Sequence, residues 1–539
     1  MSESPAPVQR QPDPGTPRAA LIAWIVATLL VAVTVLSNQF GDKAATKPVA
    51  EAGAIEPPGL DPMTLNAKVM TRLAKAVPMT EANLKQILGA VNKEAKSPAE
   101  ILRSAAVAAE LLNADAAAAR LDLAATRNDA AAHPSPALAQ DIDAARRLVK
   151  DPHAELTDIE REGLKARHGW FAELLLTKHL PDEDPARQAL IGGGMRLAVG
   201  LALFGFALLV AGAGGLAAFI VMIVQINRGR LRRAFVPPAP GGSVYLEVLP
   251  VFVAAFLAMH LLAGLVPLNP DGHPPAWLRP TTLAIQASLL LLTLYPLLRG
   301  VSWTQHKALM GWHAGTGFWR EVGAGVFGYF AGLPLMGLGM VLMLGVVAAK
   351  PLLAAFEWPQ RIGIGAAVGV LIGGLAMILS LVAPRRASRP GLAGAASFGA
   401  LIGLCAAIAA FGLLDGDTSQ PKNPVVDLIA GASPLVLLIF VGMAVVWAPL
   451  AEESIFRGAF FRHLRARVGL GLAAVVSAIV FGVMHSYDFV LLVGVITLGF
   501  NFALMREWRD SLIAPMTAHA LHNGTLMVLL LVLFKPLLA

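Results

Sequence analysis

The chain has 539 residues, 56% of them hydrophobic and 15% charged, with a formal net charge of +7. A soluble domain carries roughly 25% charged residues, so the apolar excess, gathered in long uncharged runs, points to a membrane protein. The positive charge does not mean nucleic-acid binding, because Arg and Lys sit in short clusters between apolar runs; the single cysteine, Cys405, excludes an internal disulfide and a thiolate metal cluster.

The first uncharged run, residues 19–37, follows Arg10 and Arg18 and has no clear small-residue cleavage site. It reads as an uncleaved signal anchor, with a cleaved signal peptide as the alternative. Residues 38–188 come next. They open with a linker rich in Ala and Pro, to about Pro58, and continue as Ala-rich amphipathic stretches. Ser97-Pro98-Ala99-Glu100 and Thr157-Asp158-Ile159-Glu160 both have the form of a capping box, the first with Pro at the first helical position. A small helical domain that docks a partner or acts as a spacer is expected there. The pattern fits an array of helical hairpins without a firm repeat period.

Further runs long enough to cross a bilayer cover residues 197–226, 244–266, 281–298, 322–349, 362–383, 392–414, 425–450, 470–485, 489–505 and 512–534. With the first, that makes about eleven spans. Arg228, Arg230, Arg232 and Arg233 follow the second; Arg299, Lys307 and Arg320 the fourth; Arg385, Arg386 and Arg389 the sixth. Arg457, Arg462, Arg465 and Arg467 follow the eighth, and Arg506 and Arg509 the tenth. Every basic cluster falls after an even crossing, while the loops 267–280 and 415–424 are poor in Lys and Arg, so the N-terminus is expected to be cytoplasmic and residues 38–188 extracytoplasmic. The expected fold is all-α: a polytopic transmembrane helical bundle with an extracytoplasmic helical domain. The parts are residues 1–37 as cytoplasmic N-terminus and anchor, 38–188 as the external domain, 189–424 as membrane helices without an assigned role, and 425–539 as a functional core.

Ionisable groups inside a bilayer are costly, and functional by default. They concentrate near the C-terminus: Glu452, Glu453 and Arg457 around one run, Phe481 and His485 ending the next, and His519, His522 and Asn523 inside the last. Glu452 and His485 are 33 residues apart, and the midpoint falls beside the basic stretch Arg462–Arg467. If that stretch is the turn between antiparallel helices, each lies roughly 24 Å from it, at the same depth. The first helix then runs on to about Leu464, kinked by Pro449. Glu453 and Arg457, four apart, suit an ion pair on one face, leaving Glu452 free. His519 and Asn523 share a face by the same spacing.

Two hydrolytic schemes fit these residues. In one, Glu452 is a general base acting on a water held with His485, while His519 and Asn523 stabilise an oxyanion. In the other, Glu452, His485 and His519 hold a catalytic zinc with an open position.

The constellation resembles the CAAX-protease and bacteriocin-processing family, also called Abi or Rce1-like. Its three motifs E-E-x-x-x-R, F-x-x-x-H and H-x-x-x-N stand here, in order, as Glu452-Glu453…Arg457, Phe481…His485 and His519…Asn523, within roughly residues 425–530. The resemblance implies an intramembrane endopeptidase, with or without a metal, in which the first Glu and first His activate water and the second His and Asn hold the oxyanion. It implies a peptide or protein substrate presented at the lipid bilayer. The N-terminal anchor, external domain and additional spans depart from the simplest members. Localisation in a bacterial inner membrane is the expectation that the anchor and external domain suggest.

Other polar residues take plainer readings. His522, on a different face from His519, is expected to be structural, with a spare metal ligand as the alternative. Tyr487 and Asp488 read as loop, and Glu247 and His260 as satisfied packing residues or helix-end groups rather than catalytic ones. Gly192-Gly193-Gly194 belongs to close helix packing, because no strand precedes it. A non-catalytic scaffold or immunity protein and a proton-coupled transporter are the rival functions; no paired half-repeats favour the latter.

Overall fold

The computed structural model describes residues 11–44, 62–130, 135–267, 277–353, 358–382, 433–485 and 489–534, with a few single positions between these stretches. Two compact units emerge. The first comprises Met1–Ala44, Leu209–Lys422 and Ser433–Met527; the second is built mainly from Ala45–Leu208.

The second unit is wholly helical among its described residues. Its elements are α2 (Pro62–Ala76), α3 (Glu81–Glu94), α4 (Pro98–Leu111), α5 (Ala114–Asp129), α6 (Pro136–Lys150), α7 (Asp158–His168), α8 (Trp170–Leu176) and α9 (Pro185–Ile191). Both capping boxes form: Ser97 accepts from Glu100 N and Thr157 from Glu160 N, and each glutamate reaches back to the cap. The apolar faces of α2 to α8 share one core, with Ile101, Leu102, Leu121, Ile142, Leu164 and Phe171 all but inaccessible. Buried charges are paired, as burial requires. Arg187 binds Glu110 at 2.7 Å and 3.0 Å and Asp182 at 2.6 Å, while Arg167 holds Asp141 through two bonds.

In the first unit, α1 (Pro17–Ala44) packs on α11 (Val244–Gly264). α10 (Gly194–Asn227) enters the unit from Leu209. Then come α12 (Leu278–Ser288), extended by a 3-10 turn at Leu289–Leu294, the short α13 (Tyr295–Leu298), α14 (Trp303–Met310), α15 (Phe318–Leu353) and α16 (Trp358–Val382). The last four helices are α17 (Pro434–Arg465), α18 (Leu470–Val483), α19 (Phe489–Arg509) and α20 (Ile513–Leu529).

Among the described residues six helices are long and apolar enough to cross a membrane: Pro17–Thr34, Pro185–Asn227, Val244–Gly264, Pro280–Leu298, Phe318–Gly345 and Pro434–Arg465. The expected count of about eleven is thus not confirmed. Only Pro359–Leu375 of α16 is apolar enough, and α18 has 14 residues, roughly 21 Å of helix, short of the ~20 residues a span needs. α19 and α20, which carry Asn501, Arg506, Glu507, His519, His522 and Asn523, are not among the six. The expected span 392–414, with Cys405, lies outside the described residues but for single positions, as do the loop 415–424 and Arg385, Arg386 and Arg389.

The turns of the first unit are bound to one another. Asp13 of the N-terminal segment forms an ion pair with Arg462 at 2.8 Å, and Pro14 O accepts from Ser243 N and Val244 N. Arg467 donates to Gly242 O, and Arg465 pairs with Glu507 at 2.8 Å. Phe235 N and Ala234 N bond to the carbonyls of Glu507 and Trp508. Arg509 pairs with Glu321 at 2.7 Å. Several arginines that mark loops in the sequence are therefore ion-paired within the fold rather than free in solvent. Glu247 accepts from Ser243, Tyr295 and Arg299, and His260 packs edge-on against Phe256 at 4.4 Å.

Candidate active site

α17 starts at a cap, Ser433 accepting from Val436 N with Pro434 at the first position. It is not a uniform helix. Wide π turns at Met443–Trp447 and Ser454–Phe460 flank the regular turn Ala448–Glu453. Pro449 offers no N–H to the turn before it, and an altered hydrogen-bond ladder is the usual consequence. Such π turns recur at functional sites, and here they bracket both carboxylates.

Glu453 and Arg457 point inward, fully buried, with Arg457 Nη1 donating to Glu453 Oε1 at 3.0 Å. Arg457 Nη2 donates to Gly499 O at 2.9 Å, and the guanidinium lies 4.2 Å from the Phe481 ring centroid and 5.3 Å from that of Phe502. This close approach requires a glycine: a Cβ at Gly499 would stand 2.9 Å from both Arg457 Nη2 and Phe481.

The second oxygen-side partner of Glu453 is His519, whose Nδ1 is 2.9 Å from Oε1. Glu453, charge-paired with Arg457, can only accept, so Nδ1 of His519 carries the proton. His485 obeys the same logic. Its Nδ1 lies 2.8 Å from the carbonyl oxygen of Phe481, and a carbonyl only accepts. In their neutral forms both imidazoles therefore present Nε2 as a lone pair. Those two atoms face Glu452 Oε2, at 3.8 Å for His485 and 3.9 Å for His519. Glu452 Oε2 is buried without a hydrogen bond among the described residues. Three electron-rich atoms aimed at one point make a seat for a proton-donating molecule such as water, or for a cation.

The donor chemistry suits a zinc, since each imidazole is oriented through Nδ1–H by an oxygen acceptor, the usual outer support of a metal-bound histidine. By spacing, though, no three His, Cys, Asp or Glu side chains among the described residues form a closed ligand group.

Asn523 Nδ2 donates to Ala444 O at 2.7 Å, tying α20 to the first π turn and leaving one amide N–H. His522 lies apart from Glu452, its Nδ1 3.3 Å from the Tyr329 hydroxyl. Phe481 is the aromatic floor, edge-on to His485 at 4.8 Å and to His519 at 6.0 Å. Tyr487 and Asp488 lie outside the described residues. Four residues at the site carry no sequence signal that would single them out: Gly499, Phe502, which stacks on His519 at 5.2 Å, Tyr329 and Trp312.

A cavity of about 620 Å³ borders the same helix at Leu450 and Ser454. Glu452, Glu453, His485 and His519 do not line it, so the cavity is not formed by the convergence of Glu452 with the histidines.

Residues 434–525 match the family described as type II CAAX prenyl endopeptidase Rce1-like. Over 114 residues the chain is 26% identical to the "Putative membrane peptidase YdiL" of Bacillus subtilis (strain 168), covering 21% of this chain and 44% of that protein. The match thus spans less than half the length of that relative. No solved structure matches the chain. Motif order, side-chain geometry and the family match all fall on the same segment, residues 434–525, which is similar to the Rce1-like family and belongs to a helical membrane protein.

Proposed function

We propose that the protein is an intramembrane endopeptidase that hydrolyses a peptide bond of a membrane-associated or peptide substrate with a water activated by Glu452 and His485. The observation that carries this reading is the convergence of Glu452 Oε2 with the Nε2 atoms of His485 and His519 at 3.8 Å and 3.9 Å. That spacing is too long for direct hydrogen bonds, and a bridging water would span it.

In the first step Glu452 takes a proton from the water, whose oxygen attacks the scissile carbonyl. The C=O electron pair moves to oxygen, and the oxyanion is met by N–H donors. His519, when doubly protonated, supplies Nε2–H while Glu453 compensates the imidazolium through Nδ1; the remaining amide N–H of Asn523 is the second donor. Collapse of the intermediate breaks the C–N bond, and protonated Glu452 returns its proton to the leaving amine. The buried Glu453–Arg457 pair holds His519 and takes no proton. Where a zinc is bound, Glu452, His485 and His519 would hold it, and it would supply Lewis acidity to the water and the carbonyl.

The same proposal takes the basic turns as cytoplasmic, residues 38–188 as extracytoplasmic, and the membrane as a bacterial inner membrane. The external helical domain would dock a partner protein. The test is cleavage, in proteoliposomes, of a farnesylated CAAX-type peptide and its unprenylated twin by the wild-type chain and by Glu452→Gln. Loss of cleavage in a folded Glu452→Gln supports the reading; full retention overturns it and leaves the scaffold or transporter functions.

A further inference from the structure

We infer that the turn formed by residues 309–313, acting through Trp312, is a positioning element that sets α17 against α20. This rests on the reading that Glu452 and the two histidines work together, but Trp312 lies outside residues 434–525, which match the family.

The turn bonds to three of the helices around the site. Trp312 Nε1 donates to Ser454 Oγ at 2.9 Å, and Ser454 is the residue immediately after the paired glutamates. Gly311 O accepts from Leu512 N at 2.9 Å, and His313 O accepts from Ser511 Oγ at 2.7 Å, both at the entry to α20, which carries His519. Leu309 O accepts from Arg506 Nη2 at 3.2 Å, on α19, which carries Gly499 and Phe502. The turn is locally dictated: Gly311 sits at φ +85°, and a Cβ there would come within 2.8 Å of Arg506 Cζ.

Two features make the indole bond more than packing. Ser454 opens the second π turn and its hydroxyl also donates to Leu450 O at 2.7 Å, a back-bond that bends helices. At this point the ladder is wide and its rotation is not set by regular helical geometry. The same stretch borders the cavity of about 620 Å³, which Trp312, Leu450, Ser454 and Met516 help to line. Across a cavity there are few partner atoms to hold a helix by dispersion. A directional bond from Trp312 to Ser454 therefore acts with the direct Glu453–His519 and Asn523–Ala444 bonds to set how far Glu452 and Glu453 stand from His519.

The test uses the full chain in proteoliposomes, in a Cys405→Ala background with spin labels at the exposed positions Leu438 on α17 and Leu526 on α20. Trp312→Phe should broaden and shift the interlabel distance distribution. Trp319→Phe, an exposed tryptophan, should leave it unchanged. On the farnesylated peptide or its unprenylated twin, Trp312→Phe should lower kcat on the order of 10- to 100-fold with KM unchanged, the signature of misplacement rather than lost binding. If Trp312→Phe does not fold, Ser454→Ala removes the acceptor from the other side and should give the same broadening. An unchanged distance distribution in the folded variants overturns the positioning role, whichever peptide is cleaved. Unimpaired cleavage by Glu452→Gln would instead sink the protease reading, while the distance measurement would still decide the role of Trp312.

Discussion

His519 Nδ1 stands 2.9 Å from Glu453 Oε1, and Glu453 is in turn bonded to Arg457 at 3.0 Å. The two adjacent glutamates therefore divide their work. Glu453 is a buried, charge-paired support for a histidine, and Glu452 is the carboxylate turned to the convergence point. Variants of the two should fail in different ways.

Glu452→Gln should remove hydrolysis, with a loss of about 100- to 10,000-fold in kcat, the usual worth of a general base. Thermal unfolding in detergent should change little, since Glu452 Oε2 makes no hydrogen bond to be lost. A stability loss as large as that of Glu453→Gln would refute the division of roles.

Arg457→Met should destabilise the first unit by about 3–5 kcal/mol, because it strands Glu453 as an unpaired buried charge. Unfolding in denaturant, followed by tryptophan fluorescence, reads the effect. Replacing Glu453 and Arg457 together by apolar residues should recover part of the loss but not activity, as His519 would then lack its acceptor.

Gly499→Val should be as damaging as a change in the motifs themselves. Its Cβ would meet Arg457 Nη2 and Phe481 at 2.9 Å, and overpacking of this kind costs about 1–3 kcal/mol. The variant should unfold earlier and cleave more slowly; a wild-type unfolding midpoint would show that α18 and α19 separate without penalty.

For zinc, loading the purified chain and counting bound metal discriminates the histidines. His485→Ala and His519→Ala should each lower zinc affinity by at least about tenfold, whereas His522→Ala, whose ring is engaged with Tyr329, should not. Equal zinc content in all three variants would place any bound zinc elsewhere.

The second unit should lose stability in mild acid. Burial holds His168 below its ordinary 6.5 despite its bond to Asp141, so the folded form keeps it neutral while the unfolded chain protonates first. The contribution is complete above the unfolded value and is lost as pH falls below 6.5, by at most about 1.4 kcal/mol per pH unit. Asp141, held low although burial opposes it, because Arg167 and His168 bond to it, acts only below its ordinary 3.8. Between pH 7.5 and 5 the protection factors of α6 and α7, meaning the intrinsic exchange rate at each pH divided by the observed rate, should fall, and His168→Asn should flatten that dependence.

The local rules were readable in the sequence. Ser97 and Thr157 cap their helices because the cap and its glutamate lie three residues apart. Glu453 pairs with Arg457 because four residues bring side chains together on a helix. Uncharged runs set the membrane character, though not the number of spans. A run interrupted by Asn501, Arg506 or His519 is judged by composition alone until its neighbours are known.

What only the tertiary structure decided lies far apart in the chain. Asp13 meets Arg462 across 449 residues, Trp312 meets Ser454 across 142, and Arg457 meets the carbonyl of Gly499 across 42. No periodicity encodes such contacts, because they depend on how several helices pack at once. The proton positions on His485 and His519 follow from the same packing, since the acceptor behind each ring, Phe481 O or Glu453 Oε1, fixes which nitrogen carries hydrogen. Residue types and helical spacing determined which groups could do chemistry; the packing of α17, α18 and α20 determined that the lone pairs of two histidines and one carboxylate face a single point.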